Sequence, residues 1–157
     1  MSDLLDSRRH FLKGSCRIGA LLAIGAPLAT ALSACDSADT GGVTPGPDTG
    51  VKISGNTITL DLTKSGAAAL APAGGFLYLS AASTVLVNVG GTVKAFSSEC
   101  PHQGNPVNRL DGGQLVCPTH NSRFNTSTGA RISGPAVDGL RVFAVTQTGS
   151  TVTVTRS

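Results

Sequence analysis

Cys100-Pro101-His102 and Cys117-Pro118-Thr119-His120 decide how this chain is read. Each segment supplies one cysteine and one histidine, as C-x-H and C-x-x-H, with fourteen residues between His102 and Cys117. A thiolate is a soft, anionic donor and an imidazole a neutral one, and between them they suit zinc and iron. A cysteine and a histidine two or three residues apart on a tight loop reach neighbouring metals. Two such loops can clamp a flat cluster from opposite sides. The proline after each cysteine fixes φ locally and removes an amide donor. The same four side chains could instead surround one zinc ion tetrahedrally.

The chain continues as Asn121-Ser122-Arg123-Phe124-Asn125, then Thr128-Gly129, then Gly134-Pro135-Ala136, none of which a zinc site needs. Together with the two loops, this resembles the Rieske [2Fe–2S] family, over roughly residues 51–157. The resemblance implies one [2Fe–2S] cluster per chain, with Cys100 and Cys117 on one iron and His102 and His120 on the other. Two imidazoles in place of two thiolates leave such a cluster less negative and easier to reduce. Its potential then lies at roughly −150 to +300 mV, against about −400 mV for all-cysteine plant-type clusters. The resemblance also implies that Ser122 donates a hydrogen bond to a bridging sulfide, and that Gly134-Pro135-Ala136 is the loop that covers the cluster in respiratory members. Two positions depart from the respiratory pattern. The tyrosine that donates to a cysteine sulfur there is Phe124 here, with no hydroxyl to give. One bond kept and one lost implies an intermediate potential. The two further cysteines that link the loops in respiratory members are Asn105 and Thr119 here. No disulfide can form between them, which moves the resemblance toward ferredoxin-type Rieske domains.

The N-terminus reads as an export leader. Ser7-Arg8-Arg9-His10-Phe11-Leu12-Lys13 resembles the twin-arginine motif, and an uncharged run rich in Leu, Ala and Gly follows from Ile18 to Cys35. That run is short and mild for a spanning helix, which needs about 20 strongly apolar residues, and it has the character of a signal-peptide core. The twin-arginine route exports folded proteins, as a cluster built in the cytoplasm requires, so the two motifs agree. Leu32-Ser33-Ala34-Cys35 resembles a lipobox, in which Cys35 is lipidated and becomes the first residue of the mature protein. Cleavage at an A-x-A-like site, or retention of the run as an anchor, are the alternatives. Asp36 resembles an inner-membrane retention signal, and Cys16 has no assigned role. Beyond it, residues 36–50 contain one large apolar side chain, Val43, too little to build a core. The expected organisation is a twin-arginine and lipoprotein signal peptide over 1–34, a flexible tether over 35–50 and a Rieske domain over 51–157. The expected location is the outer, periplasmic face of a bacterial cytoplasmic membrane, held by the lipid.

The remainder reads as all-β. Ile53–Leu62, Phe76–Ser80, Thr84–Val89, Thr92–Phe96, Leu140–Thr146 and Thr151–Thr155 are rich in β-branched and aromatic residues, often alternating. Gly90-Gly91 and Thr148-Gly149-Ser150 are hairpin signals. Lys64–Gly75 is a loop with room for one helical turn at Ala67–Leu70. The resemblance implies a Rieske-type domain of three small antiparallel sheets, with two cluster-binding loops at one end.

Most of the basic excess, Arg8, Arg9, Lys13 and Arg17, falls in the leader, and no nucleic acid partner is implied. An oxygenase needs a separate iron held by two histidines and a carboxylate. The three histidines are His10 in the leader and the two loop residues, so the chain has no substrate-converting site of its own. Three functions stay open. One is an electron carrier or electron-transfer subunit. Another is the small Rieske subunit of a periplasmic molybdenum-type oxidoreductase. The last is a structural zinc-binding lipoprotein. The redox partners implied for the first two are a quinol-oxidising membrane complex, a c-type cytochrome or an oxidoreductase large subunit.

Overall fold

The computed structural model describes residues 43–46 and 48–157. The export motif, the lipobox and Cys35 lie outside the described residues. Strands β1 (Val51–Ser54), β2 (Thr57–Asp61), β3 (Phe76–Leu79), β4 (Thr84–Val89), β5 (Thr92–Ser97), β10 (Val142–Thr148) and β11 (Thr151–Thr155) join in the order β1-β2-β11-β10-β5-β4-β3. A separate sheet contains β6 (Arg109–Asp111), β7 (Gln114–Cys117), β8 (Ser122–Asn125) and β9 (Arg131–Ser133) in sequence order. All pairings between strands are antiparallel. Among the described residues there are thus two sheets and three segments in all, because the larger sheet is made of two segments continuous through β10. Its Val142 and Phe143 pair with β5, while Ala144 to Thr148 pair with β11.

The run Ile53–Leu62, expected as one strand, is a hairpin. Gly55 has φ +53° and Ser54 pairs with Thr57, so Gly55-Asn56 makes the two-residue turn that takes glycine first. The Gly90-Gly91 and Gly149-Ser150 turns stand where the sequence placed them, closing β4–β5 and β10–β11. A single 3-10 turn, Ala68–Leu70, occupies the Ala-rich loop. The domain also begins earlier than residue 51. The Val43 N–H donates to the Tyr78 carbonyl at 3.3 Å, and the Gly46 N–H donates to the Val51 carbonyl at 3.2 Å. Val43 packs on the core. A short stretch with one apolar side chain cannot make a core, but its amides can pair with one already made. Residues 43–46 and 48–50, read as tether, thus belong to the folded body.

β4 explains how the core is divided. It is buried along most of its length, and alternate side chains of a strand point to opposite faces. Leu86 faces the larger apolar cluster with Ile58, Leu60, Leu77, Leu79, Val152 and Val154. Val85 and Val87 face a second cluster with Phe96, Val107, Leu115, Phe124 and Leu140. The β4–β5 wall therefore has a framework on one side and the small sheet on the other. β4 also buries two polar side chains, and both are satisfied: Thr84, whose Oγ1 donates to the Ala82 carbonyl at 2.7 Å, and Asn88. Its Nδ2 donates to the carbonyls of Leu70 and Ala71 at 3.1 and 2.9 Å, and its Oδ1 accepts from the Gly91 N–H at 2.8 Å.

Candidate metal centre

Both cysteines belong to the second apolar cluster. Cys100 follows β5 on a loop pinched at its base by the bridge between Glu99 and Pro106, and by the Val107 N–H donating to the Ser98 carbonyl at 2.7 Å. Within that loop the Cys100 N–H donates to the Asn105 carbonyl at 3.0 Å, and the Gly104 N–H donates back to the Cys100 carbonyl at 2.9 Å. Cys117 ends β7 and stands opposite Ser122, the first residue of β8. Between them, Pro118-Thr119-His120-Asn121 forms the hairpin loop, with Asn121 at φ +57°. Asparagine tolerates that left-handed conformation better than most residues. Cys117 Sγ lies 3.8 Å from the Asn105 carbonyl that also accepts from Cys100. One peptide oxygen thus touches both cysteine positions.

The four residues singled out in the sequence meet here. The thiols are inside: Cys100 is 3% exposed and Cys117 is 0% exposed. The imidazoles are outside: His102 is half-buried and His120 is exposed. Their Nδ1 atoms are 3.2 Å apart, and the rings stand edge to face with centroids 4.7 Å apart. Burial, and then the neighbouring Cys117 thiol, push the Cys100 thiol above its usual range, while the His102 amide and the Ser122 hydroxyl pull it back. Among the described residues no three metal-binding side chains gather around a single point. The donors fall two and two, sulfur behind nitrogen.

Ser122 is completely buried, and its Oγ accepts from the Ala136 N–H at 3.1 Å. Phe124 is completely buried in the apolar cluster that holds both cysteines. Cys100 and Cys117 are both free thiols. The Asn105 carbonyl and the Ala136 amide had no signal in the sequence as parts of the site, because any residue carries those groups.

Soft anionic donors buried on one side and neutral donors at the solvent edge suit a cluster with two chemically different metals. An all-β domain carrying them on two facing loops is of the iron–sulfur class. A family model described as Rieske [2Fe-2S] domain matches residues 42–144, and the chain belongs to that family, whose cofactor is a [2Fe–2S] cluster. Among curated proteins, apoptosis-inducing factor 3 of Mus musculus is 38% identical over 63 residues, 39% of this chain and 10% of that protein. The cytochrome b6-f complex iron-sulfur subunit of Chlorobaculum thiosulfatiphilum is 32% identical over 74 residues, 46% of this chain and 40% of that protein. The matched stretch is thus less than half of either relative's length. Among solved structures, the plasma membrane Rieske protein PetC3 of Synechocystis PCC 6803 is similar with a TM-score of 0.41 at 29% identity, over 45% of this chain and 74% of that one. The ferredoxin of carbazole 1,9a-dioxygenase from Nocardioides aromaticivorans IC177 has a TM-score of 0.45 at 24% identity, over 55% and 88%.

Proposed function

We propose that this chain is a one-electron carrier or electron-transfer subunit at the outer face of a bacterial cytoplasmic membrane. In this reading Cys100 and Cys117 hold one iron, and His102 and His120 hold the other through Nδ1. The observation that carries it is the two-and-two split of the donors, with the Nδ1 pair 3.2 Å apart at the surface and the thiols buried behind it. A single tetrahedral ion would draw all four donors to one point. When bound, the cluster takes up and gives back one electron at a time.

The residues of the chain do the rest. The apolar wall of Val107, Leu115, Phe124 and Leu140 keeps water from the sulfur side. The Asn105 carbonyl fixes the spacing of the two loops. His102 and His120 put the nitrogen edge where a partner protein can reach it. The proposed anchor is a lipid on Cys35, and among the described residues no helix is long and apolar enough to cross a membrane. The proposed partners are a quinol-oxidising membrane complex, a c-type cytochrome or the large subunit of an oxidoreductase.

The test is the iron, acid-labile sulfide and zinc content of the purified protein, with an EPR spectrum after reduction. Two irons, two sulfides and a reduced-cluster signal are expected from this assignment. Cys100→Ser and His120→Ala should each lose the signal. Zinc at one per chain without sulfide would replace this reading by a structural one.

A further inference from the structure

Ser122 is held from a side the sequence does not show. A hydroxyl has one proton to give and lone pairs to accept with. The Ser122 Oγ already accepts from the Ala136 N–H at 3.1 Å, so that direction is closed to its own proton. Ser122 stands directly opposite Cys117 in the β7–β8 pair, so its side chain lies on the same face of the sheet as that thiol. A hydroxyl that accepts on one side donates more strongly on the other.

The place of the Ala136 amide is itself set by two contacts. Gly134, at φ +90°, lies flat on the start of β8. A Cβ there would stand 2.5 Å from Ser122 Cα and 2.9 Å from both the Asn121 carbonyl and the Ser122 nitrogen. Arg131, the first residue of β9, donates to the Gly134 carbonyl twice, from Nε at 3.2 Å and from a terminal nitrogen at 2.6 Å. β9 pairs with β8, the strand that begins with Ser122. Arg131, Gly134, Ala136 and Ser122 therefore close a ring, strand to loop and back to strand.

We propose that Arg131 and the Ala136 amide are positioning groups for Ser122: they aim its hydroxyl at the sulfur side of the site and so set the reduction potential. Arg131 touches no ligand and acts only through the loop. The proposal rests on the cluster assignment above, and it separates Gly134–Ala136 as an aiming device from Gly134–Ala136 as a mere lid. A lid would change the potential by admitting water, whether or not Ser122 had a hydroxyl.

The experiment is a double-mutant cycle read by potential. Arg131→Ala, Arg131→Lys and Ala136→Pro are each made alone and with Ser122→Ala, and the potentials are measured by protein-film voltammetry. EPR of the reduced protein verifies the cluster in every variant. Ala136→Pro removes the amide proton, and should lower the potential by less than or as much as Ser122→Ala, but leave it unmoved when Ser122→Ala is already present. Arg131→Ala should lower it more in the Ser122 background than in the Ser122→Ala background. The charge lost with Arg131 contributes equally to both and cancels. Arg131→Lys keeps a charged donor for the Gly134 carbonyl and should recover part of the shift. If Ala136→Pro fails to fold, the exposed Arg131 variants carry the test alone. Equal shifts in the two backgrounds, or no shift in either with the cluster intact, would overturn the proposal. Absence of iron and sulfide from the unsubstituted protein would instead overturn the cluster assignment beneath it.

Discussion

Ser122→Ala removes one buried hydroxyl and reaches the function and the stability together. The bond it would give to a sulfur atom stabilises the more negative, reduced cluster, so its loss lowers the potential. Ser122 is 0% exposed, so bulk solvent does not screen that bond. A net hydrogen bond to a charged acceptor contributes about 1.5–3 kcal/mol. At about 59 mV per tenfold change for a one-electron couple, that is roughly 60–130 mV. The oxidised cluster accepts the bond too, more weakly, so only the difference appears. A downward shift from some tens of millivolts to about 130 mV is expected. The same substitution strands the Ala136 N–H, which loses its partner at 3.1 Å. An orphaned buried donor costs about 1–3 kcal/mol, to be read from urea unfolding of the cluster-loaded protein. Voltammetry with EPR on the same sample separates the two effects. A potential that stayed put or rose, with the cluster intact, would mean that the hydroxyl does not donate to the centre.

Phe124→Tyr should raise the potential if the added hydroxyl reaches a cysteine sulfur, since Phe124 is buried in the same cluster as Cys100 and Cys117; a drop on voltammetry would count against that. Asn88→Ala should destabilise the domain by at least about 1–3 kcal/mol, the cost of one buried group left unpaired, because the Leu70 and Ala71 carbonyls and the Gly91 amide all lose a partner. An unchanged unfolding midpoint would contradict this. Cys35→Ala should release the protein from membranes into the soluble fraction, because acyl chains supply most of such an anchor's affinity. Retention on membranes after signal removal would point to a protein partner, and retention with the signal intact to an uncleaved anchor.

Local chemistry was legible in the residues themselves. Two Cys–His pairs at short spacing point to a metal site, because donor type and reach along a tight loop are properties of the chain. Alternation in Thr84–Val89 and Thr92–Phe96, with Gly90-Gly91 between them, is a hairpin wherever it occurs. The hairpin within Ile53–Leu62 was hidden because its apolar pattern runs on through Gly55-Asn56, and only the pairing of β1 with β2, and of β2 with the distant β11, makes the two arms strands. Nor could the residues say that β10 would join two sheet segments, or that residues 43–46 and 48–50 would join the folded body. Both depend on backbone groups that every residue carries, finding partners far along the chain. The same holds at the site. Sequence named Cys100, His102, Cys117, His120 and Ser122. Only the tertiary fold decided that the sulfurs sit inside and the imidazoles outside, that the Asn105 carbonyl spans the cysteines, and that Arg131 holds the loop whose Ala136 amide reaches Ser122. Side-chain chemistry is written residue by residue, whereas burial and main-chain hydrogen bonding exist only once distant segments have met.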